Sequence, residues 1–212
     1  VVKGTAGVPL LDTYESERRD HAWSLIRMAI QIGWVMVPRN WFHTYGQIAF
    51  FRLAGIIPPV RDYFVGMKFK PVPRFRHGFL CADEKSDRET LVGRMLPQPE
   101  VGDGTGETRK LDDILGPGFA LLAIDPADAG EIGTLDHPFW SRLDVKRVAL
   151  TTTEPRLADG VTTVGIADGL LGRRFESYAG RILLVRPDRY VAAAFAVADA
   201  DDIAERLSVL LA

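Results

Sequence analysis

The sequence predicts a mixed α/β fold in which a long helix and an irregular, proline-rich arm precede a small sheet domain. Three observations carry this reading. Apolar residues recur at helical spacing over positions 9–37, seven prolines interrupt residues 38–110, and short apolar runs alternate with amphipathic stretches over residues 111–212. The predicted division is therefore residues 1–110, helix plus arm, and residues 111–212, the sheet domain.

The helix opens at Pro9, because a first helical turn does not need the N–H that proline lacks. Leu11, Tyr14, Arg18, Ala22, Leu25, Ala29, Ile32 and Met36 then fall on one face, and Pro38 ends the pattern. Ile26, Ile30 and Trp34 widen the apolar face in the second half, which predicts burial on more than one side. The arm that follows is too rich in proline to build a core of its own and is expected to wrap around a neighbouring domain. Its end, GDGTGETR at 102–109, reads as a polar turn or linker.

In the last zone FALLAI at 119–124 has the length and continuous apolarity of a buried strand. A short helix is expected over 136–143, a strand over 146–153 and a helix over 169–178. RILLVR at 181–186 and YVAAAFAV at 190–197 read as a hairpin turning through Pro187, Asp188 and Arg189. An amphipathic helix over 199–211, with Ile203, Leu207 and Leu210 inward, closes the chain. Strand, helix, strand, helix, hairpin, helix is the order of a thioredoxin-like domain.

Composition excludes several functions. With 26 basic and 28 acidic residues and no run of five like charges, the chain lacks the electrostatic footprint of a nucleic-acid binder. No apolar run reaches the roughly 18 residues of a membrane span. A single cysteine, Cys81, excludes an internal disulfide and a thiolate metal cluster, and fits a reducing, cytoplasmic setting. The first residue is Val1 rather than Met, which suggests a partial chain.

Few residues invite a chemical role. Arg18 lies on the apolar face of the first helix, where a guanidinium needs an anion. Glu15 stands at i−3 and can supply a structural ion pair. The alternatives are an aliphatic stem reaching to solvent from a boundary position and a carboxylate on a domain outside this chain. Cys81 has neither an evident base nor an orienting group, so it reads as a small buried hydrophobe rather than a nucleophile. His21, His43, His77 and His137 lack ligand spacing, and no metal site is expected. The loop after Ile124, DPADAGEIG, holds no cysteine where a dithiol would stand, so a thioredoxin-like domain here has no thiol redox chemistry. Gly102, Gly104 and Gly106 follow proline and precede polar residues, unlike a dinucleotide turn. No residue of the chain is expected to be catalytic or to bind a cofactor or metal.

LLDTYESERRDHA at 10–22, FKPVPRF at 69–75, VGRMLPQPEV at 92–101, LDDILGPGFALLA at 111–123 and LVRPDRYVAA at 184–193 resemble, in order, segments of the class A flavoprotein aromatic hydroxylases. The likeness is greatest to the 3-(3-hydroxyphenyl)propionate hydroxylase type, with phenol hydroxylases as relatives. It implies the C-terminal part of a monooxygenase that uses FAD, NAD(P)H and O2 to hydroxylate a phenolic ring in aromatic degradation. It also implies a thioredoxin-like C-terminal domain without the redox cysteines. The family's GxGxxG fingerprint is not in this chain, so FAD is expected to bind upstream of Val1 and not to this segment. The expected partners are that upstream region, a second copy in a homo-oligomer and a small phenolic substrate. The segment itself is then inactive and structural, through packing or dimerisation. The alternative is a stand-alone, non-redox thioredoxin-like interaction module.

Overall fold

The computed structural model describes residues 7–102, 107–152, 159–167 and 169–211. It divides into two compact units, Ser16–Pro73 and a larger one made of the residues up to Glu15 together with those from Arg74 onward.

The larger unit is built on a seven-stranded mixed sheet. Its elements are β1 (Glu100–Gly102), β2 (Thr108–Lys110), α4 (Leu111–Leu115), β3 (Ala120–Ile124), α5 (Pro138–Arg142), β4 (Lys146–Thr151), β5 (Thr162–Ile166), α6 (Gly169–Glu176), β6 (Arg181–Val185), β7 (Val191–Phe195) and α7 (Ala200–Leu211). The helices α1 (Pro9–Met36), α2 (Trp41–Ile56) and α3 (Pro58–Val65) precede these elements in the chain. The strand order is β2-β1-β5-β4-β3-β6-β7. β3 pairs parallel with β4, and β4 with β5, while β6 runs antiparallel to both β3 and β7.

Every residue of β3 is buried, and the period of two sorts its side chains onto two cores. Leu121 and Ala123 join Ile182, Leu184, Trp140, Phe195, Ile203 and Leu207 on one face. Ala120, Leu122 and Ile124 join Val148, Leu150, Leu183, Phe175 and Tyr178 on the other. Both faces are covered, which is why the strand reads as an unbroken apolar run.

The free edge of β7 is covered by the segment 75–96. The Val191 N–H donates to the Arg94 carbonyl at 3.0 Å, Gly93 N–H to Val191 at 2.9 Å, Leu96 N–H to Arg189 at 2.8 Å and Cys81 N–H to Ala192 at 2.8 Å. An exposed strand edge invites pairing with another chain, and this cover removes it. The rings of Phe75 and Tyr190 stack with centroids 4.1 Å apart. The compact unit thus reaches back well beyond the 110/111 boundary expected from the sequence. Residues 74–110 have no periodic apolar pattern, yet they supply buried Phe75, Phe79, Leu91, Leu96 and Val101.

The N-terminal helix α1 spans Pro9–Met36, close to the expected 9–37. Its start is pinned within the larger unit by the Gly7 N–H donating to the Leu211 carbonyl at 3.0 Å. Two further helices, α2 (Trp41–Ile56) and α3 (Pro58–Val65), stand where an irregular arm was expected. The prolines bracket these helices rather than interrupt them. Asn40 caps α2 by accepting from the His43 N–H at 2.9 Å, and Pro58 sits in the first turn of α3. The linker expected at 102–109 begins and ends in the paired strands β1 and β2, three residues each and too short to show a period. Residues 103–106 lie outside the described ones. β5, TTVGI, was not expected either. Only Val164 of its five residues is fully buried, so its apolar signal is weak.

Candidate functional site

The polar groups of the larger unit converge at the turn after α6. Tyr178 is fully buried, and its hydroxyl donates to Asp83 Oδ2 at 2.9 Å while accepting from the Leu91 N–H at 2.7 Å. The Thr90 hydroxyl donates to the same carboxylate oxygen at 2.7 Å and accepts from the Val92 N–H at 3.0 Å. Burial pushes the Tyr178 hydroxyl above its ordinary range, so it stays a neutral donor. The Lys85 ammonium stands 4.9 Å from the Tyr178 ring centroid. This arrangement ties residues 83–92 to a position near residue 178. It holds no nucleophile and base pair, so its chemistry is anchoring. Sequence reasoning missed it because Asp83 and Tyr178 are 95 residues apart and neither carries a local signal.

Cys81 lies in the apolar core, 4% exposed, and burial pushes its thiol up, away from the reactive thiolate. His77 is exposed. The turn after β3 is held by carboxylates. Asp125 Oδ1 accepts from the Thr152 N–H at 2.6 Å, and Asp128 Oδ1 from the Gly130 N–H at 2.8 Å. Among the described residues no group of His, Cys, Asp and Glu can hold a metal ion. No described helix is long and apolar enough to cross a membrane.

Glu15 and Arg18 both lie exposed on α1. The deeply buried carboxylate of that helix is Glu17, 5% exposed, which sequence reasoning passed over as one charge among several.

The unit Ser16–Pro73 contrasts with the sheet. Only Glu17 and Ala54 in it are buried, while Trp23, Ile30, Trp34, Trp41, Phe42 and Phe50 stand open to solvent. Aromatic rings still gather locally, with Phe50, Phe51 and Tyr63 around Phe64 at centroid separations of 5.7–6.5 Å. A shallow groove of about 560 Å³ runs along α1 between Trp23, Arg27 and Phe69. The apolar side chains of these helices thus have almost no buried core beneath them.

The architecture recurs in solved structures. At TM-score 0.65 and 21% identity the chain is similar to the flavin-dependent monooxygenase PieE in complex with FAD and substrate, covering 99% of this chain and 41% of that one. At TM-score 0.57 and 21% identity it is similar to aklavinone-11 hydroxylase with FAD and aklavinone, covering 100% and 37%. The fold is thus one that flavin-dependent hydroxylases contain. The HcaD C-terminal domain family matches residues 93–210, more than half of the chain, and the chain belongs to that family. It is 36% identical over 201 residues to a 3-(3-hydroxy-phenyl)propionate/3-hydroxycinnamic acid hydroxylase of Burkholderia cenocepacia (strain HI2424), covering 91% of this chain and 36% of that protein. A protein of the same name from Mycobacterium avium (strain 104) is 33% identical over 212 residues, covering 98% and 37%. The chain therefore spans little more than a third of the length of these relatives.

Neither the turn after β3 nor Gly102 forms the glycine turn that cradles a flavin diphosphate. A diphosphate cradle needs open backbone N–H groups in a glycine turn between a parallel strand and a helix. The turn after β3 presents Asp125 and Asp128 instead, and Asp128 already takes the Gly130 N–H. Gly102 belongs to an antiparallel hairpin.

Proposed function

We propose that the chain is the C-terminal part of an FAD- and NAD(P)H-dependent monooxygenase that hydroxylates a phenolic ring, and that its own contribution is structural. The names of the Burkholderia and Mycobacterium relatives support the activity of the whole polypeptide. The observation that carries the structural role is the unit Ser16–Pro73, whose apolar helices have almost no buried residue. That surface packs on the upstream flavin-binding region, and a remaining face pairs with a second copy. Exposed Arg18 meets Glu15 or a carboxylate of the upstream region. FAD binds upstream, and the phenolic substrate with it. The single buried thiol suits the cytoplasm.

The larger unit is thioredoxin-like in this reading. The strand order β4-β3-β6-β7, with β3 and β4 parallel and β6 antiparallel to its neighbours, supports it. The redox cysteines of such a domain are replaced by the acidic turn Asp125–Asp128. A second reading, a stand-alone non-redox interaction module, is favoured by the self-contained core of the larger unit.

The test is to purify the whole polypeptide and this 212-residue chain separately. Stoichiometric flavin absorbance with NAD(P)H- and O2-dependent hydroxylation of 3-(3-hydroxyphenyl)propionate by the whole, and neither by the chain, is the expected result. A whole polypeptide without flavin leaves the module reading in its place.

A further inference from the structure

A basic cleft of about 460 Å³ opens on the larger unit beside the Tyr178 anchor. Lys85, Arg88 and Arg94 enter it from the segment that covers β7, and Arg173 and Arg174 from the last turn of α6. Against these five cations stands one carboxylate, Glu89, which already accepts from the Ser86 hydroxyl at 2.8 Å. The whole chain carries a net charge of −2, so the cleft is a local concentration and not part of a generally basic surface. Among the described residues no carboxylate pairs with Arg88, Arg173 or Arg174, whereas Arg74, Arg76 and Arg181 all find one.

Arg94 is held in place rather than neutralised. Its Nη2 donates to the Asp87 carbonyl at 2.7 Å, and its buried Nε has no partner. Burial first, and then the charges of Arg74 and Arg174, push its guanidinium below the ordinary range, while the nearby Asp87 carboxylate opposes the shift only in part. The partial negative charge at the end of α6 accounts for Arg173 and Arg174. It does not account for three more cations brought to the same cleft from a separate segment. Like charges gathered in a concave, partly desolvated site repel one another unless an anion joins them.

We propose that this cleft binds a phosphate-bearing anion, with Arg88, Arg94 and Arg174 as its guanidinium contacts. Guanidinium forks match phosphate oxygens in pairs, and a charge of −2 or more suits four net positive charges better than a single carboxylate does. Leu91 is the one apolar residue among the described lining, so the cleft offers no wall for an aromatic ring, while Ser177 adds a hydroxyl. The inference does not rest on the enzymatic reading above. A free phosphate or diphosphate and the phosphates of a nucleotide share this chemistry.

Equilibrium dialysis of the 212-residue chain at low salt against inorganic pyrophosphate, ADP and benzoate tests it, and reads binding whatever the association state. Pyrophosphate and ADP are expected to bind, and benzoate at least about tenfold more weakly. The double variant R88E/R174E is expected to lose about tenfold or more in affinity at an unchanged unfolding midpoint. R109E, on β2 and outside the cleft, should keep full binding. ADP tighter than pyrophosphate assigns the site to a nucleotide, and the reverse order to a free phosphate anion. R88Q, a single neutralisation of an exposed residue, must weaken binding in the same direction, and serves alone if the double variant does not fold. Failure of both phosphate ligands to bind, or binding that R88Q and R88E/R174E leave unchanged, overturns the proposal.

Discussion

Gly93 shows how one residue fixes a long-range contact. Its φ of +75° lies in the left-handed region, and a Cβ there would stand 1.9 Å from the Phe75 carbonyl oxygen. That close approach is what lets the Phe75 N–H reach the Gly93 carbonyl at 2.7 Å and lets the segment lie against β7. Gly93→Ala is therefore expected to destabilise the chain by roughly 2–4 kcal/mol, read as a lower urea midpoint. A change below about 0.5 kcal/mol would show that the segment is not tied to β7 in this way. Cys81 makes the opposite point, a reactive residue type made inert by position. Its folded thiol ionises at higher pH than an unfolded one, whose ordinary value is 9.0. The folded state then binds more protons above that pH, so this contribution to stability is present below pH 9 and is lost as pH rises toward the folded value. Buried Tyr178 shifts in the same direction. The unfolding midpoint should fall between pH 8 and pH 10, and less so in Cys81→Ala relative to its own value at pH 8. Cys81→Ser in the whole polypeptide should leave kcat within about tenfold of the native value, a barrier change under about 1.4 kcal/mol. A larger loss in a folded variant contradicts its structural role.

At the scale of elements, the sheet depends on residues far from it in sequence. A fragment beginning near Arg109 lacks Phe75, Leu91, Val92, Leu96 and Val101, and it bares the edge of β7. A fragment beginning at Arg74 keeps them. The second is expected to unfold cooperatively at a clearly higher temperature than the first, and equal midpoints would place the boundary back at residue 110. The strands β3, β6 and β7 were legible because burial on both faces leaves an unbroken apolar run and the hairpin turn carries Pro187-Asp188, and β4 because its end is rich in β-branched residues. β1, β2 and β5 were not. Their place is set by pairing partners, Val101 with Ile166 and Thr162 with Val148, that no local pattern announces. α2 escaped because prolines at 38 and 58 read as breakers, whereas the 16 residues of the helix lie between them. The candidate sites share this limit. The acidic turn without cysteines could be read directly, but the Asp83–Tyr178 anchor and the five-cation cleft arise only when distant segments meet.

For the whole molecule, the two units pose different energetic problems. The larger one buries Trp140, Tyr178, Phe175 and most of its strand residues, a core sufficient for a domain. The unit Ser16–Pro73 leaves most of its tryptophan, phenylalanine and isoleucine side chains in solvent, and burying each is worth on the order of 1.5–3 kcal/mol. The isolated chain is therefore expected to self-associate, and light scattering should show masses above that of a monomer, while a fragment of residues 74–212 stays monodisperse. The most direct test of the central claim, that this chain completes a larger flavoprotein by docking its helical unit on the upstream region, is amide hydrogen exchange over residues 16–65. The measurement compares the chain at concentrations low enough to keep it monomeric with the whole polypeptide. Docking predicts that exchange in α1 to α3 slows by about tenfold or more in the whole polypeptide, with the strands of the sheet changing less. Equal exchange in both would show that these helices find no partner upstream, and would contradict the account.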